Sequence, residues 1–132
     1  MLILQLGDSR AFIIRGNNIT FSTVEQQHWY DCPYQVGTNS KDTPLNDATS
    51  HAINLLPSDT IILATDGLGD NLWDHEILAE AAGITEPGPP KPRRTVQDIA
   101  NSLCQKARAV GEDQWGESPF MVSCPIPDSF LT

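Results

Sequence analysis

Apolar residues along this chain change period twice, and the changes separate strand-like from helix-like stretches. Leu2–Leu6 and Ala11–Arg15 are apolar runs, separated by Gly7-Asp8-Ser9-Arg10. Gly-Asp-Ser is turn chemistry, so the two runs predict a hairpin. Gly16-Asn17-Asn18 is a second tight turn and Ile19–Thr23 a third strand, which predicts a three-stranded meander. Val24 to Ser58 follows no period and holds Pro33, Pro44 and Pro57. It reads as a long irregular excursion, with Ala52–Leu56 as a short edge strand near its end. Ile61–Thr65 is apolar again and reads as a buried strand.

Beyond it the period becomes helical. Asn71 with Asp74 resembles a capping box, and Leu72, Trp73, Ile77, Leu78 and Ala81 form one apolar face that Gly83 terminates. Glu86 to Pro92 carries four prolines and predicts a stiff, extended linker. Thr95 with Asp98 opens a second helix. Its apolar face is Val96, Ile99, Ala100, Leu103, Ala107 and Val110; Cys104 is placed there as a packing residue, and Gly111 ends the helix. Ser118–Val122 is short and apolar, and Pro125 and Pro127 break any regular structure after it. Strands followed by helices give an α+β class.

Composition narrows the functions. The 132 residues amount to one ordinary domain. Seventeen acidic and eight basic residues leave a formal charge of −9, which argues against nucleic acid as a partner, because a phosphate backbone attracts a basic surface. The three cysteines, Cys32, Cys104 and Cys124, are too widely spaced for a metal knuckle, and their odd number speaks against a disulfide framework and for a reducing compartment. No apolar run reaches the roughly 20 residues of a membrane helix. Met1–Leu6 lacks the basic start of a signal peptide and reads as the beginning of a strand, so further chain is expected upstream.

The candidate chemistry lies in Thr60-Ile-Ile-Leu-Ala-Thr-Asp-Gly-Leu-Gly-Asp-Asn-Leu72. An apolar strand stops on Asp66, turns through two glycines and reaches Asp70 before a helix. A strand delivers its last residue rigidly to a sheet edge, where a carboxylate is well placed to hold a hard cation. Asp8, in the first turn, converges with Asp66 if their strands lie side by side. The bland alternative is that Asp8 is a turn residue and Asp70 a helix cap. His28 and His51 have no companions at ligand spacing and read as loop histidines, and His75 as a helix-surface residue. Trp29, Tyr30 and Tyr34 read as aromatics that anchor a loop.

Leu6-Gly-Asp-Ser-Arg10, followed by Asp59 to Leu72, resembles the metal-dependent serine/threonine protein phosphatases of type 2C. Glu25–His28, Pro33–Gln35, Ala107-Arg108 and Ser118–Phe120 resemble the mitochondrial branch, called T-cell-activation protein phosphatase in animals. The match runs with gaps from Leu2 to Val122, so residues 1–122 read as the C-terminal part of such a domain and 123–132 as a divergent tail.

The resemblance implies a partial αββα sandwich of antiparallel strands, with two antiparallel helices packed on one face. It implies Mg²⁺ or Mn²⁺ as cofactor and a phosphorylated protein as substrate, with metal-activated water hydrolysing phosphoserine or phosphothreonine. It implies that Asp66 is a core metal ligand and that Asp8 and Asp70 belong with it to a weaker third site. A mitochondrial location follows from the branch alone. The family's N-terminal Asp-Gly-x-Gly-Gly motif, its phosphate-binding arginine and its closing Asp-Asp-Ile-Thr strand have no counterpart in the chain, and Gly69 stands where the family usually carries a large side chain. The resulting expectation is a weakly active or inactive phosphatase. The alternative is a non-catalytic relic that binds a partner or a single cation.

Overall fold

The computed structural model describes residues 1–83 and 94–124. Its centre is a three-stranded antiparallel sheet in which β2 (Arg10–Arg15) lies between β3 (Asn18–Ser22) and β7 (Thr60–Ala64). Ala11, Phe12, Ile13 and Ile14 are all buried, so β2 is apolar on both faces. A strand covered on both sides reads as a continuous apolar run.

The two faces are covered differently. On one, Phe12 packs with Leu68, Leu72, Ile77, Leu103 and Ala107, and Ile62, Ala64, Ile99 and Val110 fill the margins. These residues come from a single turn, α2 (Asp66–Gly69), and from two longer helices, α3 (Asp74–Ala82) and α4 (Val96–Glu112). On the other face, β1 (Leu2–Gln5) and β6 (Thr49–Ala52) form a separate antiparallel ribbon. Phe21 of β3 meets His51 of β6 edge to face, with ring centres 5.2 Å apart. Buried Gln5 ties the ribbon to the sheet by donating to the carbonyls of Ser9 and Val24.

The predicted β1–β2 hairpin does not form. β1 pairs with β6, from Leu2 opposite Ala52 to Gln5 opposite Thr49. The reason lies at Gly7, whose amide donates to Gln26 Oε1 and whose carbonyl accepts from Gln26 N. Gly7 has φ +102°, and a Cβ there would lie 2.7 Å from the Tyr34 carbonyl oxygen. The turn is therefore pinned to a distant segment and carries the chain from one sheet to the other.

The edge strand expected at Ala52–Leu56 is β6, at Thr49–Ala52; its polar sequence has no strand signature, and β1 makes it a strand by pairing. The long excursion also holds β4 (Gln27–Trp29), β5 (Cys32–Pro33) and a short helix, α1 (Pro44–Asp47), capped by Thr43. β7, expected to be buried, is an edge strand, with Leu63 74% exposed and Ile61 41%.

The helices follow their caps with small shifts. The helix expected from Asn71 is α3, which begins three residues later and follows the separate turn α2; the carboxylate that caps its start is Glu76, which accepts from the Trp73 amide. Gly83 terminates α3 in the left-handed region, at φ +66°. Thr95 and Asp98 form the reciprocal box at the start of α4, which continues one residue past Gly111. Cys104 is exposed rather than packed. Ser118–Val122 contributes α5 (Pro119–Ser123), capped by Ser118. The linker from Glu86 to Pro92 lies outside the described residues, as does the tail beyond Cys124.

Glu80 of α3 is buried between Arg94 and Lys106 and joins α3 to α4. Burial alone would push its carboxyl up, but Lys106, Ser102 and Arg94 outweigh it and bring it down to about 2. A depressed carboxyl stabilises the fold fully above its unfolded value and loses that stabilisation as pH falls towards its folded one. Glu80 accordingly supports the fold above about pH 4.5, and its contribution disappears between about pH 4.5 and about pH 2. Glu80→Gln should lower the melting temperature at pH 7 by about 3–6 °C. The gap from wild type should close on acidification, as followed by circular dichroism; a gap constant with pH would contradict this.

Candidate functional site

β2 and β7 bring the first two carboxylates together. Arg10 lies opposite Ala64 and the ladder runs antiparallel. Asp8 and Asp66 each lie two residues beyond this last pair, Asp8 in the turn before β2 and Asp66 at the start of α2, which brings both to the same end of the sheet. Asp66 accepts a hydrogen bond from its neighbour's amide, Gly67 N, at 2.6 Å. The single turn of α2 then brings Asp70 back to the same end, where its amide donates to the Asp66 carbonyl at 2.8 Å. Asn71 Nδ2 braces the turn on the Gly67 carbonyl at 2.9 Å.

Asp8, Asp66 and Asp70 line one cavity of about 520 Å³. Glu25, just after β3, and Asp31, in the β4–β5 turn, line it too. Sequence reasoning missed both as site residues. Glu25 lies in a motif that carried the resemblance, but nothing local tells that it faces Asp66; Asp31 carries no signal beyond turn chemistry. Part of the lining is aromatic: the rings of Tyr30 and of Phe120 in α5 meet at a tilt with centres 5.6 Å apart, and the Phe120 amide donates to the Asp70 carbonyl at 3.1 Å.

The field in the cavity is negative. Asp70 is pushed up to about 6, first by burial and then by Asp66, Glu25, Asp8 and Asp31. Arg10 is the one basic residue among the lining side chains, and its guanidinium is turned to Asp74 at 3.2 Å and lies 4.5 Å over the Phe12 ring. The donors at the acidic end are carboxylate oxygens, the chemistry a hard divalent cation prefers. Among the described residues no three or more Asp, Glu, His or Cys side chains are set closely enough to form a finished ligand cage. The cavity fits a cation in donor type and charge, with water completing its shell, as Mg²⁺ commonly retains several waters.

The histidines stand apart. His28 Nε2 lies 3.0 Å from both oxygens of buried Asp42, and its ring is 4.1 Å from that of Tyr34. The Gln35 amide also donates to Asp42 and, more than His28, holds its carboxyl below the usual range. This cluster braces the β4–β5 segment. His51 packs on Phe21, and His75 is exposed in the first turn of α3.

Antiparallel sheets, a helical layer on one face and an oxygen-lined acidic cavity at the strand ends define the class of protein. Comparison with known proteins shows what the chain is similar to. No family model matches the chain. It is 32% identical over 118 residues to "Probable protein phosphatase 2C 1" of Oryza sativa subsp. japonica, a match covering 89% of this chain and 33% of the rice protein. It is also 32% identical over 124 residues to "Protein phosphatase PTC7 homolog" of Homo sapiens, covering 87% of this chain and 39% of the human one. The X-ray structure of the photosystem II phosphatase PBCP superposes with a TM-score of 0.78 at 31% identity, over 92% of this chain and 44% of that one. The chain is therefore a homologue of the type 2C protein phosphatases. It spans about a third to two fifths of the length of the curated relatives it matches.

Proposed function

We propose that this chain carries part of the metal-binding and substrate-facing surface of a protein serine/threonine phosphatase, with Mg²⁺ or Mn²⁺ as cofactor and a phosphorylated protein as substrate. The observation that supports it is the convergence of Asp8, from the turn before β2, with Asp66 and Asp70, from the two ends of α2, on one acidic cavity in a homologue of type 2C phosphatases. Bound there, a divalent cation would supply charge neutralisation and activation of water. The chain's own contribution is to position the oxygens: β7 fixes Asp66, the Gly7 pin fixes Asp8, and α2 with the α5 contact fixes Asp70. Tyr30 and Phe120 make part of the cavity lining aromatic. A mitochondrial location belongs to this reading through the resemblance to the PTC7 branch. No helix among the described residues is long and apolar enough to cross a membrane.

The open spacing of the carboxylates favours a second reading, a cation- or partner-binding module without turnover. Phosphate release from a phosphothreonine peptide, measured in Mn²⁺ beside a calorimetric Mn²⁺ titration, separates the two. The expected result is Mn²⁺ binding with weak or no turnover. Asp66→Asn should weaken Mn²⁺ binding at least about tenfold, the size reached even by losing an outer-shell partner, and should remove any release. Undiminished Mn²⁺ affinity in the folded variant would exclude Asp66 as a ligand.

A further inference from the structure

Among the described residues no strand pairs with the outer side of β7. The backbone groups left open there follow from the bonds of β2. The Ala11 amide donates to Thr23 Oγ1, its carbonyl accepts from Thr23 N, and the Ile13 carbonyl accepts from Thr20 Oγ1. Ala11 and Ile13 therefore turn to the β3 side. Successive residues of a strand bond to opposite sides, so Arg10, Phe12 and Ile14 bond to their β7 partners Ala64, Ile62 and Thr60. The amides and carbonyls of Ile61 and Leu63 are left pointing outward.

The side chains of this edge are apolar on both faces. Ile62 and Ala64 turn to the helical core, and with Leu103, Cys104 and Ala107 of α4 they line an open cavity of about 470 Å³. Ile61 and Leu63 alternate to the other face, where both are exposed. Edge strands are commonly protected from pairing by a charge, a proline or a bulge. Thr60–Ala64 holds neither a charged residue nor a proline, and its register against β2 is unbroken.

A strand that complements this edge has apolar residues one place to either side of its centre, with outward amides and carbonyls at those same places. β7 is itself such a strand. Laid antiparallel to a second copy about a twofold axis at Ile62, it sets Ile61 of each copy against Leu63 of the other. These become the hydrogen-bonded pairs, each exchanging both main-chain bonds, and Ile62 meets Ile62 in the closer, non-bonded position between them. The cavities between β7 and α4 then face each other across the axis. Asp66 follows β7, so the twofold places the two acidic cavities at opposite ends of the joined sheet and keeps their like charges apart.

We propose that β7 is a self-pairing edge through which two copies of this chain form a symmetric dimer with one continuous sheet. A strand of five residues covers less than the roughly 800 Å² per partner of a standard interface, so the expected dimer is a weak, micromolar one.

Sedimentation velocity of the full chain over about 1–500 µM should show monomer passing into dimer. Leu63→Lys should raise the dissociation constant at least about hundredfold, because each dimer loses two buried leucines. Leu63 is exposed in the single copy, so the variant should melt like the wild type, and Ile61→Lys gives a second reading from the paired position. Leu45→Lys, at an exposed leucine of α1, should leave dimerisation unchanged. Amide hydrogen exchange reads the register: the Ile61 amide should exchange at least about tenfold more slowly in the concentrated wild type than in Leu63→Lys. A wild type that stays monomeric throughout overturns the proposal and leaves the edge to a strand of another chain. A dimer that persists in folded Leu63→Lys, or whose Ile61 amide stays unprotected, overturns it as well. Open-ended association does the same, since a twofold pair is closed.

Discussion

Asp70→Asn is expected to stabilise the cation-free chain and to weaken its hold on Mn²⁺. Asp70 is half-buried and surrounded by Asp66, Glu25, Asp8 and Asp31, and its carboxyl stands near 6 instead of 3.8 because its charge is unwelcome there. At neutral pH the folded state carries that charge at a cost, which the unfolded chain escapes. Asparagine keeps the shape and removes the repulsion. After discounting for solvent screening the gain is about 1 kcal/mol, or roughly 3–5 °C in melting temperature. The same change deletes a donor oxygen, so the stabilisation that Mn²⁺ gives the wild type through linkage should shrink or vanish. Melting curves in EDTA and in Mn²⁺ read both signs together. A variant no more stable in EDTA, with an unchanged response to Mn²⁺, would remove Asp70 from the cation site.

Phe12→Ala should come close to unfolding the protein. Phe12 is 0% exposed at the centre of β2 and belongs to the buried cluster that draws residues from all three core helices. Truncating such a side chain typically costs about 3–5 kcal/mol. A domain of this size has about 5–15 kcal/mol in all, so the variant would be marginal at best. A local effect adds to this, because the Phe12 ring is the seat of the Arg10 guanidinium. Urea unfolding should show a midpoint reduced by half or more, with Phe12→Leu losing much less. Near-wild-type stability of the alanine variant would mean that the helices are not anchored through this side chain.

Local chemistry was well legible in the chain. Thr95 and Asp98 announced α4, Gly83 marked the end of α3, and the apolar runs located β2, β3 and β7 within a residue or two. Pairing was not legible. Gly7 to Arg10 has the composition of a hairpin turn, yet Gln26 and Tyr34 decide where it leads. β6 is polar and becomes a strand only because β1 lies beside it. The exposure of β7 was missed for a related reason: an apolar run reports the side chains and not whether a further strand covers them. At the site, the convergence of Asp8 with Asp66 could be anticipated because each flanks a strand. Glu25 and Asp31 enter the same cavity through a segment without periodicity, placed by the His28–Asp42 brace and the Tyr30–Phe120 contact.

The alignment of β2 with β7 has a consequence for how this stretch tolerates change. Asp8 and Asp66 are 58 positions apart, yet each lies two residues beyond the same cross-strand pair, Arg10 and Ala64. Replacing one residue within either strand alters packing and leaves that alignment intact. Inserting or deleting one residue turns everything beyond it to the opposite face. The spacing of the two strands is thus under tighter constraint than their composition, and length polymorphism there should be far rarer than substitution.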